Sequence, residues 1–282
     1  MFWTIVIISV SVYIVINIVM YYMQERFLFK PEKLSEDFEF DYDQKFTEHN
    51  LDMGDGVNIN GVHFSIERPR GVVFYLKGNS RSIKGWGKYA TDFNRLGYDV
   101  IMVDYRGFGK STGKRTERGI KDDLQHVYDI IKSKVDQKHI IVYGRSMGSG
   151  FATKLASTNN PRMLILESPY YSMMKMASRY LPILPSMVVR FKIRTYKWIQ
   201  YVHCPIKIIH GTSDRIVPFR NSIKLAKKSP KFARLYPVVG GGHNNLHTFV
   251  DYHRMLEEIV NSEGLTDVDP NETSLNFKRK NA

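Results

Sequence analysis

The sequence predicts an α/β domain on a mainly parallel, eight-stranded sheet with helices on both faces, preceded by a transmembrane helix and interrupted by a short cap insertion. Three observations predict it. Between Gly71 and Asn261, short uninterrupted apolar runs alternate with amphipathic stretches, the pattern of strands covered on both faces by crossing helices. One run, His139–Tyr143, leads through Gly144-Arg145-Ser146-Met147-Gly148 into a helix-compatible stretch, so a serine flanked by glycines sits at a strand-to-helix turn. Residues 1–24 carry no charged side chain.

From Phe2 to Met23 the clearly polar residues are Thr4, Ser9, Ser11 and Asn17. A helix of about 22 residues rising ~1.5 Å each covers a hydrocarbon core of roughly 30 Å. The stretch lacks the basic start and the A-x-A-like end of a cleaved signal, so residues 1–23 are expected to be a transmembrane helix. Trp3, Tyr21 and Tyr22 stand where interfacial aromatics belong, and Arg26, Lys30 and Lys33 lie just beyond. That asymmetry predicts a single-pass anchor with the large domain on the cytoplasmic side. Residues 24–44 are expected to be a juxtamembrane connector, 45–262 the folded domain and 263–282, polar and without periodicity, a disordered tail.

Strands are predicted at Phe46–Met53 and Val57–Ile66, an antiparallel edge around Gly54-Asp55-Gly56. The alternating units follow: strand Val72–Leu76, helix Gly85–Leu96, strand Asp99–Val103, helix Thr116–Lys134, strand His139–Tyr143, helix Ser146–Ser157 and strand Met163–Leu166. Strand Pro205–His210, helix Asn221–Lys228, strand Ala233–Val239 and helix Asn245–Asn261 complete the domain. Tyr170–His203 breaks the alternation. It contains no Asp or Glu but Lys175, Arg179, Arg190, Lys192, Arg194 and Lys197, interleaved with Met, Leu, Tyr, Phe and Trp. Two readings are compatible: a helical excursion packed on the core, and a cap whose apolar side meets an acyl chain while its basic side meets headgroups.

The formal net charge of +13 does not come with a nucleic-acid motif or a basic repeat, and a tethered domain facing an anionic lipid surface accounts for it. The lone cysteine, Cys204, excludes an internal disulfide and suits a packed apolar side chain. Nothing in the sequence sets an oligomeric state.

A serine hydroxyl is a weak nucleophile at neutral pH and needs a base and a group to orient that base. Asp214 follows the strand ending at His210, and His243 follows a strand and the run Gly240-Gly241-Gly242. Both therefore sit beyond strand ends, where open α/β sheets build sites. His210, His247 and His253 compete for the base role; His210 falls at a strand end and is expected to be structural. Asn244 occupies the position where an H-E-x-x-H zinc motif over His243 and His247 needs glutamate, so no metal is expected. The oxyanion hole is expected from the backbone amides of Met147 and of Asn79, in the loop after the third strand.

Lys77-Gly78-Asn79, Asp104-Tyr105-Arg106-Gly107-Phe108-Gly109-Lys110-Ser111, Gly144–Gly148, Glu167-Ser168-Pro169, His210-Gly211 through Pro218, and Gly242-His243-Asn244 occur in the order in which their counterparts occur in a known family. Over residues 46–262 the chain resembles the α/β-hydrolase superfamily, and within it the membrane-anchored α/β-hydrolase-domain proteins and serine aminopeptidase-like hydrolases. The resemblance implies a catalytic triad of Ser146, Asp214 and His243, no metal or organic cofactor, and cleavage of esters or thioesters. It departs at Lys77, where the family carries a histidine that supports the oxyanion loop. An amphiphilic acyl ester or thioester at the bilayer is the expected substrate; an aminopeptidase and a non-catalytic tethered module are the rivals.

Overall fold

The computed structural model describes residues 1–54, 56–180, 185 and 187–262. The expected tail, 263–282, and Leu181 and Leu184 of the insertion lie outside the described residues.

Helix α1 (Phe2–Leu28) is predominantly apolar as far as Met23, and none of its side chains is buried among the described residues, so it is a candidate membrane anchor and not a core helix. It continues past Met23 to Leu28, into the stretch expected as a connector. The strands are β1 (Phe46–Asp52), β2 (Asn58–Phe64), β3 (Val72–Leu76), β4 (Asp99–Val103), β5 (Ile140–Arg145), β6 (Met163–Glu167), β7 (Ile206–Gly211) and β8 (Ala233–Val238). They form one sheet in the order β1-β2-β4-β3-β5-β6-β7-β8. Antiparallel pairing is confined to β1 with β2 and β2 with β4, so β2 alone runs against the rest. Strands β3 to β6 carry only buried residues, as parallel strands covered on both faces require.

The described helices after the anchor are α2 (Ile83–Trp86), α3 (Thr91–Asn94), α4 (Glu117–Lys132), α5 (Met147–Ala156), α6 (Met173–Tyr180), α7 (Thr195–Trp198), α8 (Arg220–Ala226) and α9 (Val250–Asn261). Thr116 caps α4, its hydroxyl accepting from the Gly119 amide at 2.9 Å. The helix expected over Gly85–Leu96 is divided: α2, a 3₁₀ turn at Gly87–Ala90, then α3. Gly87 stands against Tyr42 and Phe64 with no room for a Cβ, so close packing decides the local path there. The last helix starts later than expected because Phe249 is extended (φ −95°, ψ 129°) after a 3₁₀ turn at Leu246–Thr248.

Two apolar layers enclose the sheet. One gathers α4, α5 and the returning part of the insertion around Phe74, Val142 and Leu166; the other gathers α9 and the α2–α3 region around Tyr75, Tyr143 and Ile165. Phe191, Ile193, Ile199 and Val202 of the insertion are buried in the first layer, so half of the insertion is core. Its return is pinned by Glu117, whose Oε2 accepts from the Lys192 and Ile193 amides at 2.7 and 3.2 Å. Helix α6 belongs to the more exposed half.

Candidate active site

Strand β5 must turn into α5 within one residue, and Ser146 absorbs that turn at φ 52°, ψ −119°, a conformation costly for a non-glycine residue. The flanking glycines make it possible. A Cβ at Gly148 would overlap the Leu76 carbonyl, and one at Gly144 would press on Ala152 and the Gly148 carbonyl. The Ser146 amide donates to the Glu167 carbonyl at 2.9 Å, holding the turn against β6.

The Ser146 Oγ lies 2.9 Å from His243 Nε2, and His243 Nδ1 lies 2.7 Å from Asp214 Oδ2. An ionised carboxylate only accepts, so Nδ1 carries the proton and Nε2 is left to accept from the serine hydroxyl. His243 is held by its loop: the Gly241 carbonyl accepts from the Ser213 amide at 2.9 Å, and the Gly240 amide donates to Thr212 Oγ1 at 3.0 Å. Gly211 has no space for a Cβ against the Gly241 carbonyl, which is how the loops after β7 and β8 come close enough for the two side chains to meet.

Asp214 is buried and saturated. Oδ1 accepts from the Ile216 and Val217 amides at 2.9 and 2.8 Å, and Oδ2 accepts from His210 Nε2 at 3.1 Å as well as from His243. Burial alone would raise its pKa, but the bonds from His210, His243 and the Val217 amide outweigh it and hold the carboxyl well below the usual range. His210, expected to be structural, ends β7 fully buried; its Nδ1 faces the Ser222 hydroxyl at 2.6 Å. Its bond to Asp214 gives it a second role, for which the four-residue spacing His210 to Asp214 is the only sequence signal. His247 packs edge-on against Tyr89, and His253 Nε2 faces the His247 carbonyl at 2.8 Å, so neither histidine joins the constellation.

On the opposite side of Ser146 runs the loop after β3. A Cβ at Gly78 would come within 3.8 Å of the Ser146 Cβ and 3.0 Å of the Trp86 ring, so this backbone passes close beside the serine. The Met147 amide opens α5, where helix geometry offers an amide no intrahelical acceptor. Asn79 follows Gly78; its carboxamide donates to the Leu28 carbonyl at 2.7 Å.

Lys77 is fully buried. Its Nζ lies 3.3 Å from Asp104 Oδ1, donates to the Arg81 carbonyl at 3.1 Å and sits 3.8 Å from the centre of the Phe108 ring. Asp104 also accepts from the Ile83 amide at 3.1 Å. Burial pushes the Lys77 ammonium down and the Asp104 carboxyl up, each toward its neutral form, and their mutual attraction opposes both shifts. The lysine thereby ties both ends of the loop 77–81 to one buried carboxylate. A second buried pair flanks the serine: Arg145 Nε lies 2.8 Å from Glu167 Oε1, with the guanidinium over Tyr89 and Trp86 and the Tyr143 hydroxyl bonded to Glu167.

A cavity of about 770 Å³ opens beside the constellation, lined by Arg179 of α6, Asp214, Arg215, Pro218 and Arg220. Three guanidinium groups against one carboxylate make the cavity electropositive. Among the described residues no group of His, Cys, Asp and Glu side chains has metal-binding geometry.

A sequence model of the family described as "Serine aminopeptidase, S33" matches residues 67–203, which include Ser146 but neither Asp214 nor His243. Lysophosphatidylserine lipase ABHD12 of Gallus gallus is 32% identical over 220 residues, 67% of this chain and 58% of that protein, so the chain spans little more than half of that relative. Uncharacterized protein MT2364 of Mycobacterium tuberculosis is 30% identical over 216 residues, covering 74% of this chain and 76% of its own length. Among solved structures, the esterase PF2001 of Pyrococcus furiosus shares the fold, with a TM-score of 0.66 at 18% identity, covering 83% of this chain and 97% of that one. Strand order, the turn at Ser146 and these relatives together establish that the chain belongs to the α/β-hydrolase superfamily.

Proposed function

We propose that this chain is a membrane-anchored serine hydrolase that cleaves carboxylic esters or thioesters of amphiphilic molecules through a Ser146-His243-Asp214 triad. The observation that carries the reading is the unbroken hydrogen-bonded line from Ser146 Oγ through the His243 ring to Asp214 Oδ2, at 2.9 and 2.7 Å. His243 Nε2 takes the serine proton as Oγ attacks the acyl carbonyl, and Asp214 holds the tautomer and stabilises the imidazolium. The amides of Met147 and Asn79 receive the oxyanion; loss of one such donor costs about 3 kcal/mol in the barrier. The imidazolium gives its proton to the leaving alcohol or thiol. A water activated by the same ring then cleaves the acyl-enzyme, and no residue is consumed.

Three features support an amphiphilic, anionic substrate such as a lysophospholipid. The apolar α1 leads straight into the domain, Arg179, Arg215 and Arg220 line the adjoining cavity, and a relative bears the name lysophosphatidylserine lipase. Acylglycerols and S-acylated proteins share the ester or thioester chemistry. An aminopeptidase fits less well, because its substrate ammonium needs a carboxylate partner, and Tyr170–His203 contains no Asp or Glu while the cavity presents guanidinium groups. Arg26, Lys30 and Lys33 behind the apolar stretch favour a cytoplasmic domain.

A fluorophosphonate probe tests the mechanism on the full chain. Wild type is expected to label and to lose labelling in Ser146→Ala; a folded wild type that neither labels nor turns over an ester panel overturns the reading.

A further inference from the structure

Behind the anchor helix the chain does not leave the domain as a linker. The Leu28 carbonyl accepts from the Asn79 carboxamide at 2.7 Å, the Lys30 amide donates to the Asn79 carbonyl at 2.9 Å, and the Arg81 amide donates to the Lys30 carbonyl at 2.9 Å. Residues 79–81 are thus paired like a short strand with the chain leaving α1. Glu32 continues the contact, its Oε2 accepting from the Ser82 hydroxyl at 2.7 Å and the Ser82 amide at 3.2 Å. The Glu32 carbonyl accepts from the Gly109 amide at 2.8 Å, and the Leu34 amide donates back to the Gly109 carbonyl at 3.2 Å. Phe29, buried, packs edge-on against Phe108 and Phe191 with ring centres 6.1 and 4.9 Å apart. One turn before Leu28, Gln24 bonds the insertion backbone on either side of Val189: Nε2 donates to the Val188 carbonyl at 2.9 Å, and Oε1 accepts from the Arg190 amide at 2.8 Å.

We propose that Gln24–Leu34 is a strap through which the membrane anchor positions the oxyanion loop, so that the Asn79 amide is aimed at the acyl oxygen only while the end of α1 is seated. The proposal rests on the acyl-transfer reading of Ser146. Its physical ground is that an oxyanion donor acts only if its direction is fixed before the reaction; besides the strap, the loop Gly78–Arg81 is held by Trp86, whose Nε1 donates to the Ser80 carbonyl at 2.8 Å, which leaves Asn79 itself to the strap. Lys77 grips the loop from inside, and the strap grips it from outside. In this arrangement Asn79 contributes twice: its main-chain amide faces the reaction, and its side chain is the peg that reads the anchor's position. Arg81, at φ 56°, is held in a left-handed conformation between the two grips.

The test uses the full chain in lipid nanodiscs, with hydrolysis of p-nitrophenyl butyrate expressed per active site titrated to completion with a fluorophosphonate. Asn79→Ala and Asn79→Asp both remove the donor to the Leu28 carbonyl, the second without changing shape, and Glu32→Ala frees Ser82. Each is expected to lower kcat per titrated site about 10- to 100-fold with KM within twofold. Glu32→Gln, which keeps an acceptor oxygen for Ser82, is expected to restore kcat. Because rates are counted per reactive site, loss of folded protein does not enter the comparison. A strap that merely stabilises the fold would lower melting temperatures and leave kcat per site unchanged, and that result overturns the proposal. A wild type that neither labels nor hydrolyses overturns the acyl-transfer reading instead.

Discussion

The two sides of Ser146 are built by different means. On the histidine side, Asp214 and His243 come from short loops after adjacent strands, β7 and β8, and their contacts lie within those loops and the ends of the strands. On the oxyanion side, Gly78–Arg81 is held by Lys77 and Asp104 beneath it and by residues 28–34 outside it. The first side is local to two neighbouring strand ends. The second depends on a buried charge pair and on a segment about fifty residues away in sequence, since Leu28 and Asn79 are 51 positions apart. Breaking the triad line should therefore appear far more in chemistry than in stability, and damage to the second side in stability and chemistry together.

Asp214→Asn is the sharpest break on the histidine side. An amide in place of the carboxylate can turn its NH₂ toward His243 and favour the wrong tautomer, so kcat on a soluble ester is expected to fall about 10⁴-fold. Oδ1 still accepts from the Ile216 and Val217 amides, so melting should shift far less than activity does. A fall of under tenfold would mean that the line from Ser146 to Asp214 is not the reacting group.

Lys77→Met breaks the other side. Removing one member of a buried pair leaves Asp104 uncompensated in a site with no exposure, a loss of about 3–5 kcal/mol in unfolding by urea. Lys77→Met with Asp104→Asn is expected to recover most of that stability, because the uncompensated charge goes with its partner. Recovery of stability without recovery of kcat would show that the pair also sets the direction of the loop. An additive double variant would dissolve the contrast between the two sides.

The histidine side was legible in the sequence because its parts obey a local rule. Glycines on either side of a serine, and an acid and a histidine just past strand ends, describe short turns whose geometry the nearby residues determine. The sheet was legible for the same reason: β3 and β4 coincide with uninterrupted apolar runs, Val72–Leu76 and Asp99–Val103. The strap was not, because Gln24–Leu34 reads as a mixed-charge segment broken by Pro31, whose partners, Asn79, Ser82, Gly109, Val188 and Arg190, lie far along the chain. Pairing across such distances leaves no periodicity to see. The divided helix at 83–94 was missed for a related reason: Tyr42, which removes the space at Gly87, lies about 45 residues upstream, in the stretch 24–44 expected as a connector. His210 could be read as buried but not as a donor to Asp214, since that depends on the course of the loop between them.

His210→Phe sharpens the comparison within the histidine side. The Asp214 carboxyl lies below its ordinary value of 3.8, so it contributes stability that is present above that value and is lost as pH falls through the folded pKa. Removing the His210 donor raises the folded pKa toward the ordinary value and shrinks that contribution. The variant is expected to lose about 1.5–3 kcal/mol at pH 7, the worth of a hydrogen bond to a charged group, and the deficit should narrow in urea titrations below pH 4. A deficit constant from pH 7 to pH 3 would mean that His210 acts through packing and its bonds to Ser222 and the Val217 carbonyl, and not through Asp214.

The smallest expected effect concerns the cavity that lies on the histidine side but takes one wall from the insertion. Arg179, Arg215 and Arg220 are exposed at its rim, so each charge acts through solvent and is screened over about 8 Å at physiological salt. Each Arg→Gln change should raise KM for an anionic lysophospholipid about two- to threefold, and the triple variant about tenfold, with kcat preserved. The neutral p-nitrophenyl butyrate should be hydrolysed as by wild type, and added salt should erase the difference between the triple variant and the parent on the anionic substrate. Equal losses on both substrates would instead assign the arginines to holding α6 over Asp214, and would move the cavity from substrate recognition to support of the triad.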